Sequence, residues 1–341
     1  MREPGAPAPA WQSTLEPALA AALTEAGLAG AVVQGLTRLS GGASQQTWAF
    51  ELLRGSQSRP LILRRSPPGA AERNSGGAGL AAEALLIARA ARAGVPVPEV
   101  VCVLQAHHGL GDGFIMQRLP GETLGRRIAA APRPVLARQC GEALARIHAL
   151  PLADLPPLRR TQPRTEVDHL AGWHARHGTV RPVFQLALRW LADHAPADVA
   201  PALVHGDFRN GNLMVNLHAE GGALVGVLDW ELAHFGDPMA DLGWLGGASW
   251  RFGASARPVG GFGQWQALFD GYAAAGGRVD RARVHWWQVL GTLRWGVICE
   301  SMGHAWSTGA EPVMEKAAIG RRASETEIDL LELLLPRSAT A

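Results

Sequence analysis

The chain has 341 residues, of which 47% are apolar and 18% are charged, and its formal net charge at pH 7 is +2. This length is sufficient for two lobes, each with its own hydrophobic core. The nearly balanced charge provides no basic footprint for a nucleic-acid partner. No run of about 18 consecutive apolar residues occurs, so neither a membrane span nor a membrane partner is expected.

The cysteines give no sign of a metal or redox centre. Cys102, Cys140 and Cys299 are widely separated in the chain, and their spacing matches neither a metal-binding nor a redox motif. We expect them to be small buried apolar residues in a reducing compartment. Residues 1–10 are rich in Pro and Ala and lack the apolar core of a signal peptide. A cytoplasmic protein is therefore expected, and its oligomeric state is left open.

The first third of the chain has the pattern of a small sheet with two helices. Apolar residues at helical spacing that stop at a glycine predict the helices, and short apolar runs between turn residues predict the strands. The predicted helices cover residues 15–27 and 80–93, and the predicted strands cover residues 32–39, 47–53, 61–64, 99–104 and 114–119.

A glycine-rich turn separates the first two predicted strands. It contains Ser40, Gly41, Gly42, Ala43 and Ser44. Small residues in such a turn let backbone N–H groups close on phosphate oxygens. A plain hairpin turn is the alternative, because a Ser-Gly-Gly sequence alone is weak evidence for a phosphate site.

The remainder of the chain is mainly helical. Several of its helices carry tryptophan residues, which we expect to form a wall of the acceptor site; ordinary core packing is the alternative for each of them. The predicted helices cover residues 124–131, 135–150, 183–194, 237–245, 262–275, 281–302 and 313–335, and the tryptophans are Trp265, Trp286, Trp287, Trp295 and Trp306.

The most informative stretch is residues 203–230. Asp207 and Asn212 follow a short apolar run, and a predicted hairpin of residues 213–215 and 224–228 leads to Asp229. The hairpin predicts that these three side chains meet at one mouth. Two carboxylates and one amide oxygen are hard ligands that suit Mg²⁺ holding a nucleotide phosphate. The alternative is a polar hairpin that uses Asp and Asn only as turn residues.

The order His205, Asp207, Asn212 and then Asp229 resembles a kinase catalytic loop and its metal-binding aspartate. Gly206 and residues 236–242, Gly-Asp-Pro-Met-Ala-Asp-Leu, are similar to the aminoglycoside phosphotransferase and choline kinase-like family. The resemblance extends over residues 36–306. It implies an α+β, protein kinase-like fold with two lobes. Residues 1–119 would be a nucleotide-binding N-lobe with a small antiparallel sheet, and residues 120–341 a larger helical C-lobe for catalysis and acceptor binding.

The same resemblance implies phosphorylation of a small-molecule hydroxyl group with ATP and Mg²⁺. Asp207 would be the catalytic base, Asn212 and Asp229 would bind Mg²⁺, and His205 and Asp241 would support the loop. Backbone groups around residues 116–119 would border the adenine. The implied nucleotide-binding residues are Ser40, Gly41, Gly42, Ala43, Ser44, Arg64, Glu83, Gln117 and Leu119.

The cation on the third strand departs from the usual pattern, since the only lysine of the chain is Lys316. Arg64 is expected in its place, paired with Glu83, and Arg65 should face the other side of the strand. A solvated Glu83 is the alternative. An arginine at this place, and the sequences of residues 63–69 and 290–295, look closest to acyl-CoA dehydrogenase-associated phosphotransferase domains. This resemblance makes hydroxyacyl thioesters an acceptor class to consider.

Two other functions stay open. A nucleotide-binding pseudokinase would explain the missing strand lysine, although Asp207, Asn212 and Asp229 are all present. An aminoglycoside-resistance kinase would need an acidic wall for its polycationic substrate. Residues 245–310 contain more arginines than acidic residues, which disfavours that substrate. The preference for ATP over GTP is not decided by the sequence.

Overall fold

The computed structural model describes residues 10–39, 45–66, 78–176 and 180–335. It has the predicted α+β, protein kinase-like fold. The chain divides into two compact units. The first unit consists of Met1–Pro120, Ala153–Pro157 and Val225–Leu232, and the second of Gly121–Leu152, Leu158–Leu224 and Ala233–Ala341.

The first unit contains one antiparallel sheet of five strands in the order β1-β2-β3-β5-β4. Strands β2 and β3 form a tight hairpin in which Arg54 pairs with Gln57, and Gly55 takes the positive φ of 59° that this turn needs. The elements are α1 (Ala10–Glu25), β1 (Val32–Arg38), β2 (Gln46–Arg54), β3 (Gln57–Ser66), α2 (Leu80–Arg92), β4 (Val100–Val103) and β5 (Asp112–Gln117).

Apolar side chains on one face of this sheet form the core of the first unit. Leu19 and Leu23 of α1 pack with Phe50 of β2 and with Leu61 and Leu63 of β3. The period of two along β3 places Leu61 and Leu63 on the same face, as expected for a strand with one face in a core. This core fixes the register of β3, and the register in turn sets the faces of the sheet on which Arg64 and Arg65 lie.

The second unit is mainly helical. Three of its helices begin with a proline, at Pro134, Pro163 and Pro182, where the missing N–H costs no hydrogen bond. Strand β8 begins in this unit and ends in the first. The elements are α3 (Gly125–Ile128), α4 (Pro134–His148), α5 (Pro163–Ala175), α6 (Pro182–Asp193), β6 (Ala202–Val204), β7 (Leu213–Asn216), β8 (Ala223–Val227), β9 (His234–Gly236), α7 (Met239–Leu245), α8 (Trp265–Ala274), α9 (Arg281–Ser307), α10 (Met314–Gly320) and α11 (Ala323–Leu334).

The prediction of a single helix over residues 313–335 is wrong, because the chain breaks into α10 and α11. Gly320 ends α10 against Gly303 of α9, and a Cβ at Gly320 would lie 2.5 Å from the Cα of Gly303. This close backbone approach directs α10 along α9 before the chain turns. Helix α5 was not predicted, and its buried apolar residues are few. No helix within the four described ranges is both long and apolar enough to cross a bilayer.

Glycines allow α4 and α8 to pack closely against each other. A Cβ at Gly141 of α4 would overlap the carbonyl oxygen of Leu268 and lie 2.7 Å from the backbone nitrogen of Tyr272. A Cβ at Gly271 of α8 would overlap the carbonyl oxygen of Arg138 in the same way. Because the obstacles are backbone atoms, they cannot move aside as a side chain would.

We therefore expect Gly141→Ala to lower the free energy of unfolding by about 3 kcal/mol, at the upper end of overpacking costs. Gly172→Ala is the matched control. Gly172 is also inside a helix, α5, but apart from its own stretch of helix no described atom lies within 4 Å of its Cβ position. This second substitution should stabilise the protein by roughly 0.5–1 kcal/mol through helix propensity. Urea unfolding of both variants tests the contact, and equal effects would contradict the close approach of α4 and α8.

Candidate active site

The carboxylate of Asp207 is the centre of a hydrogen-bonded loop, residues 205–212, that follows β6. Its Oδ1 atom accepts hydrogen bonds from Trp244 Nε1 at 2.8 Å and from Arg209 Nε at 3.0 Å. Its Oδ2 atom accepts from Asn212 Nδ2 at 2.6 Å and from Arg209 Nε at 3.2 Å. The side chain is 13% exposed. Asp207 is therefore held in one orientation.

Asp241 of α7 holds this loop by hydrogen bonds, as the sequence predicted. Its carboxylate accepts hydrogen bonds from the backbone N–H groups of His205 at 2.8 Å and Gly206 at 2.9 Å. Gly206 has a positive φ of 80°, which favours glycine at this corner. Burial raises the pKa of Asp241, but hydrogen bonds from His148 and from the backbone N–H of His205 hold that pKa below its ordinary value.

His148 extends this support to α4 and α8. Its Nε2 atom lies 3.1 Å from Asp241 Oδ2, and its Nδ1 atom lies 2.8 Å from the Tyr272 hydroxyl. An ionised Asp241 can only accept, so His148 donates from Nε2 and accepts at Nδ1 from Tyr272. Burial raises the pKa of Tyr272, which keeps the hydroxyl group protonated as a donor. This chain of hydrogen bonds joins α7, α4 and α8 next to the loop.

Asn212 has the donor and acceptor arrangement that a metal ligand needs. Its Nδ2 atom donates to the carbonyl oxygen of Asp207 at 3.0 Å and to Oδ2 of the same residue at 2.6 Å. Both donors are directed to Asp207, so the amide oxygen is the atom that remains for a cation. Asn212 directly precedes β7, and Asp229 lies two residues beyond β8. The sharing of one metal ion by Asn212 and Asp229 stays a prediction.

In the first unit, Arg64 is surrounded by three carboxylates. Its Nε atom lies 3.1 Å from Glu83, and its Nη2 atom lies 2.9 Å from Asp229 Oδ1 and 3.2 Å from Glu231 Oε2. The predicted pair of Arg64 and Glu83 is present, and Glu83 is 1% exposed rather than solvated. Asp229 has a positive φ of 64°, an uncommon backbone conformation for this residue that is often found at functional sites.

Arg65 points to the other side of β3, as predicted. Its Nε and Nη2 atoms donate to Gln46 Oε1 at 3.1 Å and 3.0 Å, and its Nη1 atom donates to the carbonyl oxygen of Leu110 at 3.2 Å. Neighbouring arginines therefore serve different faces of the sheet. Of the two, it is Arg64 that contacts Glu83, Asp229 and Glu231, and these four residues are called the carboxylate cluster below.

Among the described residues, this cluster joins one guanidinium to three carboxylates. Burial raises the pKa of Glu83 to about 7, with Asp229 and Glu231 adding to the rise and Arg64 opposing it. Burial lowers the pKa of Arg64, but the same three carboxylates together raise it above its ordinary value. Excess negative charge at Arg64 favours the arrival of a cation such as Mg²⁺.

This shift predicts a pH dependence of stability. The pKa of Glu83 is higher in the folded protein, about 7, than its ordinary value of 4.5. Between these values the folded state binds more protons than the unfolded state, so the contribution of Glu83 to stability falls as pH rises. The free energy of unfolding of Glu83→Gln should therefore rise by about 2–3 kcal/mol relative to that of wild type between pH 4.5 and 8. Urea unfolding at both pH values measures this difference, and a constant difference would contradict the shifted pKa.

The predicted nucleotide-binding residues fall into three groups. Ser40, Gly41, Gly42, Ala43 and Ser44 lie outside the described residues. Gln117 has its N–H bonded to the carbonyl oxygen of Glu99 at 2.8 Å, so that donor is not available to an adenine. Leu119 follows the end of β5, and within the described ranges its backbone groups make no hydrogen bond. Leu119 is therefore the better candidate for the adenine edge, which stays a prediction.

Burial does not separate the tryptophans near Asp207 from those of the core, since Trp244 and Trp250 are only 8% and 6% exposed. Trp286 and Trp287 are 2% and 5% exposed and belong to the core, so the packing alternative holds for them. Trp244, Trp250 and Trp295 stack in sequence, with ring centroids 5.0 Å apart at each step, and Trp244 contacts Asp207.

Three site residues were missed by the sequence analysis: Arg209, Glu231 and Trp244. Arg209 and Glu231 each follow a predicted site aspartate by two residues, a signal that could have found them. Trp244 lies in the predicted helix after residue 237 but carries no motif of its own.

The sequence profile described as "Phosphotransferase enzyme family" matches residues 35–278, well over half of the chain. The chain belongs to the phosphotransferase enzyme family. The predicted membership of a phosphotransferase family is therefore confirmed. The match includes Arg64, Glu83, Asp207, Asn212 and Asp229.

Curated relatives of this phosphotransferase agree with the predicted subgroup. The chain is 29% identical over 217 residues to acyl-CoA dehydrogenase family member 10 of Mus musculus. It is 33% identical over 165 residues to acyl-CoA dehydrogenase family member 11 of Gallus gallus. These alignments cover 61% and 44% of this chain but only 20% of each relative. The alignments thus account for about a fifth of the length of these relatives.

Solved structures with the same fold cover nearly the whole phosphotransferase. A Ralstonia eutropha protein assigned provisionally as an aminoglycoside phosphotransferase has a TM-score of 0.69 at 20% identity, covering 93% of this chain and 97% of its own. A choline/ethanolamine kinase family protein from Mesorhizobium loti has a TM-score of 0.63 at 22% identity, covering 96% and 95%. A GDP complex of aminoglycoside 2′-phosphotransferase-IIIa has a TM-score of 0.58 at 14% identity, covering 92% and 99%. At these identities the likeness establishes the fold.

Proposed function

We propose that this phosphotransferase transfers the γ-phosphoryl group of ATP to a hydroxyl group of a small molecule, with Asp207 as the catalytic base. The observation that carries the proposal is the setting of Asp207, whose two carboxylate oxygens are oriented by Trp244, Arg209 and Asn212. A carboxylate fixed in this way can accept a hydroxyl proton and aim the oxygen at phosphorus. A well-placed base contributes roughly 10²–10⁴-fold to the rate.

The donor set fits Mg²⁺. Asn212 offers an amide oxygen, and Asp229 offers a carboxylate that now faces Arg64 Nη2 at 2.9 Å. Oxygen ligands of this kind suit Mg²⁺, and neither cysteine nor histidine is among them. When bound, Mg²⁺ would neutralise phosphate charge. We infer that Asn212 and Asp229 would hold it, while Arg64 turns from Asp229 towards the phosphates.

Arg64 is the proposed phosphate clamp. Glu83 holds its Nε atom, which leaves the Nη groups to follow either the carboxylates or a phosphate. Nucleotide use is supported by the fold, since a structural neighbour was solved as its GDP complex. We propose ATP as the donor and a cytoplasmic setting, where ATP and Mg²⁺ are both available.

We propose an acceptor with an apolar body rather than a polyamine sugar. The Trp244 ring bonds Asp207 and packs against Trp250, and Arg209 adds positive charge there. A cation beside the base disfavours a polycationic acceptor. The likeness to acyl-CoA dehydrogenase family members makes hydroxyacyl thioesters the first class to examine.

The experiment that tests this function is a comparison of acceptors. The protein is incubated with ATP and Mg²⁺ and with hydroxyacyl thioesters, other apolar alcohols or kanamycin, and phosphorylated products are measured. We expect phosphorylated alcohols from the first two groups. Efficient phosphorylation of kanamycin alone would overturn the proposed acceptor class, and nucleotide binding without any transfer would favour a pseudokinase.

A further inference from the structure

We infer that Arg209 is a second catalytic cation, one that moves from Asp207 to the transferring phosphoryl group when the acceptor binds. The inference rests on the proposed function and adds a residue to it. Arg209 lies in the second unit, on the same loop as Asp207, and its side chain is 26% exposed. It therefore reaches the base from the solvent side of the loop.

The hydrogen bonds to the Asp207 carboxylate show why one donor has to leave before an acceptor hydroxyl group can bind there. Two donors bond each carboxylate oxygen, with Arg209 Nε shared between them. A carboxylate has about four lone-pair sites, so no favourable position is left for an incoming hydroxyl group. Trp244 is a ring on a buried helix, and Asn212 is also tied to the Asp207 backbone at 3.0 Å. Arg209, whose side chain is 26% exposed, is the most accessible donor of the three.

The guanidinium group of Arg209 has N–H donors to spare and lies against an aromatic ring. Its Nη1 atom makes one long bond of 3.4 Å to the carbonyl oxygen of Asn210, and Nη2 makes no hydrogen bond within the described part of the chain. Its Cζ atom lies 4.7 Å from the centre of the Trp250 ring, a cation–π contact along which the guanidinium group can shift. At Gly211 a Cβ would lie 2.7 Å from Nη1, so glycine leaves room for this group.

The chemistry places the phosphoryl group within reach of this cation. The hydroxyl oxygen forms a bond to the γ-phosphorus while the bond from that phosphorus to the β–γ bridging oxygen breaks. The proton passes to Asp207, and the nucleoside diphosphate leaves with the bonding electron pair. Reacting atoms lie about 3–3.5 Å apart, so a donor that touches Asp207 is a neighbour of the phosphoryl oxygens. Arg209 can then form charge-assisted hydrogen bonds to them.

The test uses Arg209→Ala, Arg209→Lys and the control Arg281→Ala in the full chain. Arg281 also stacks on an aromatic ring, that of Phe269 at 5.1 Å, but contacts no carboxylate. Loss of one transition-state donor typically lowers kcat by ~10²–10³-fold, and we expect this for Arg209→Ala with an unchanged Kd for ADP·Mg²⁺. The lysine variant should retain part of the rate, and the control should match wild type.

Two readouts separate catalysis from a structural role. Wild type should bind ADP·Mg²⁺ more tightly when aluminium fluoride, a mimic of the phosphoryl group, is present, and Arg209→Ala should lose most of this gain in calorimetry. Added guanidinium should restore part of its turnover. If Arg209→Ala keeps kcat and the fluoride gain within threefold of wild type, or if Arg209→Lys loses ADP binding as well, the inference is overturned. Asp207→Asn in the same assay reports separately on the proposed function, which fails if that variant keeps wild-type turnover.

Discussion

Asp207→Asn should lose most phosphoryl transfer while keeping its affinity for nucleotide. Asparagine retains the size of the side chain and can still accept from Trp244, which donates to Oδ1 at 2.8 Å in the wild type. It cannot take the proton of the acceptor hydroxyl group, so kcat should fall by ~10²–10⁴-fold. Steady-state rates and calorimetric titration with ATP·Mg²⁺ measure the two effects on the same sample.

Asp229→Ala is the contrasting variant for this prediction. It removes a proposed metal ligand and leaves Asp207 untouched, so the Mg²⁺-dependent part of nucleotide affinity should be lost. Wild-type turnover by Asp207→Asn on the true acceptor would show that the base has been assigned wrongly. An Asp229→Ala variant with wild-type Mg²⁺ dependence would show the same for the metal site.

Arg64→Ala should impair both ATP use and stability. Its removal leaves Glu83, which is 1% exposed, without a cation beside Asp229 and Glu231. Removing one partner of a buried ion pair costs about 3–5 kcal/mol. At pH 6 the cost should be smaller than at pH 8, because the pKa of Glu83 is already about 7 in the wild type and the carboxyl group can remain protonated. Each lost charge-assisted bond to phosphate should raise the KM for ATP roughly 10- to 100-fold.

Arg65 provides the control for this second prediction. It bonds Gln46 and Leu110 on the other side of β3, so Arg65→Ala should raise the KM for ATP only slightly. Arg64→Lys should be intermediate, since the charge remains while the planar group that binds several partners is lost. Equal and small effects of the two alanine substitutions on ATP affinity would show that the clamp is assigned wrongly.

The sequence predicted most elements of the fold because they depend on local patterns. Hydrophobic periodicity gave the five strands of the sheet and most helices to within a few residues, and the kinase-like fold followed from the family resemblance. That residues 205–212 form a catalytic loop stays a prediction. The prediction that Arg64 and Arg65 face opposite sides followed from the period of two along a strand, and the structure agrees. These features need no knowledge of distant contacts.

What the sequence could not supply were contacts between residues far apart in the chain. Glu231 reaches Arg64 across 167 positions and Trp244 reaches Asp207 across 37, and neither pairing follows from a local period. The break between α10 and α11 depends on Gly303 and Gly320 meeting through their backbones. Tertiary packing decided these features.

The most direct test of the proposed function follows the phosphoryl group itself. Wild type and Asp207→Asn are incubated with ATP, Mg²⁺ and the apolar alcohols, and ³¹P NMR monitors the products. We predict that wild type forms ADP and a phosphate monoester of the alcohol in equal amounts, and that Asp207→Asn forms neither at a comparable rate. Formation of ADP and free phosphate alone, or equal monoester formation by both proteins, would contradict the account.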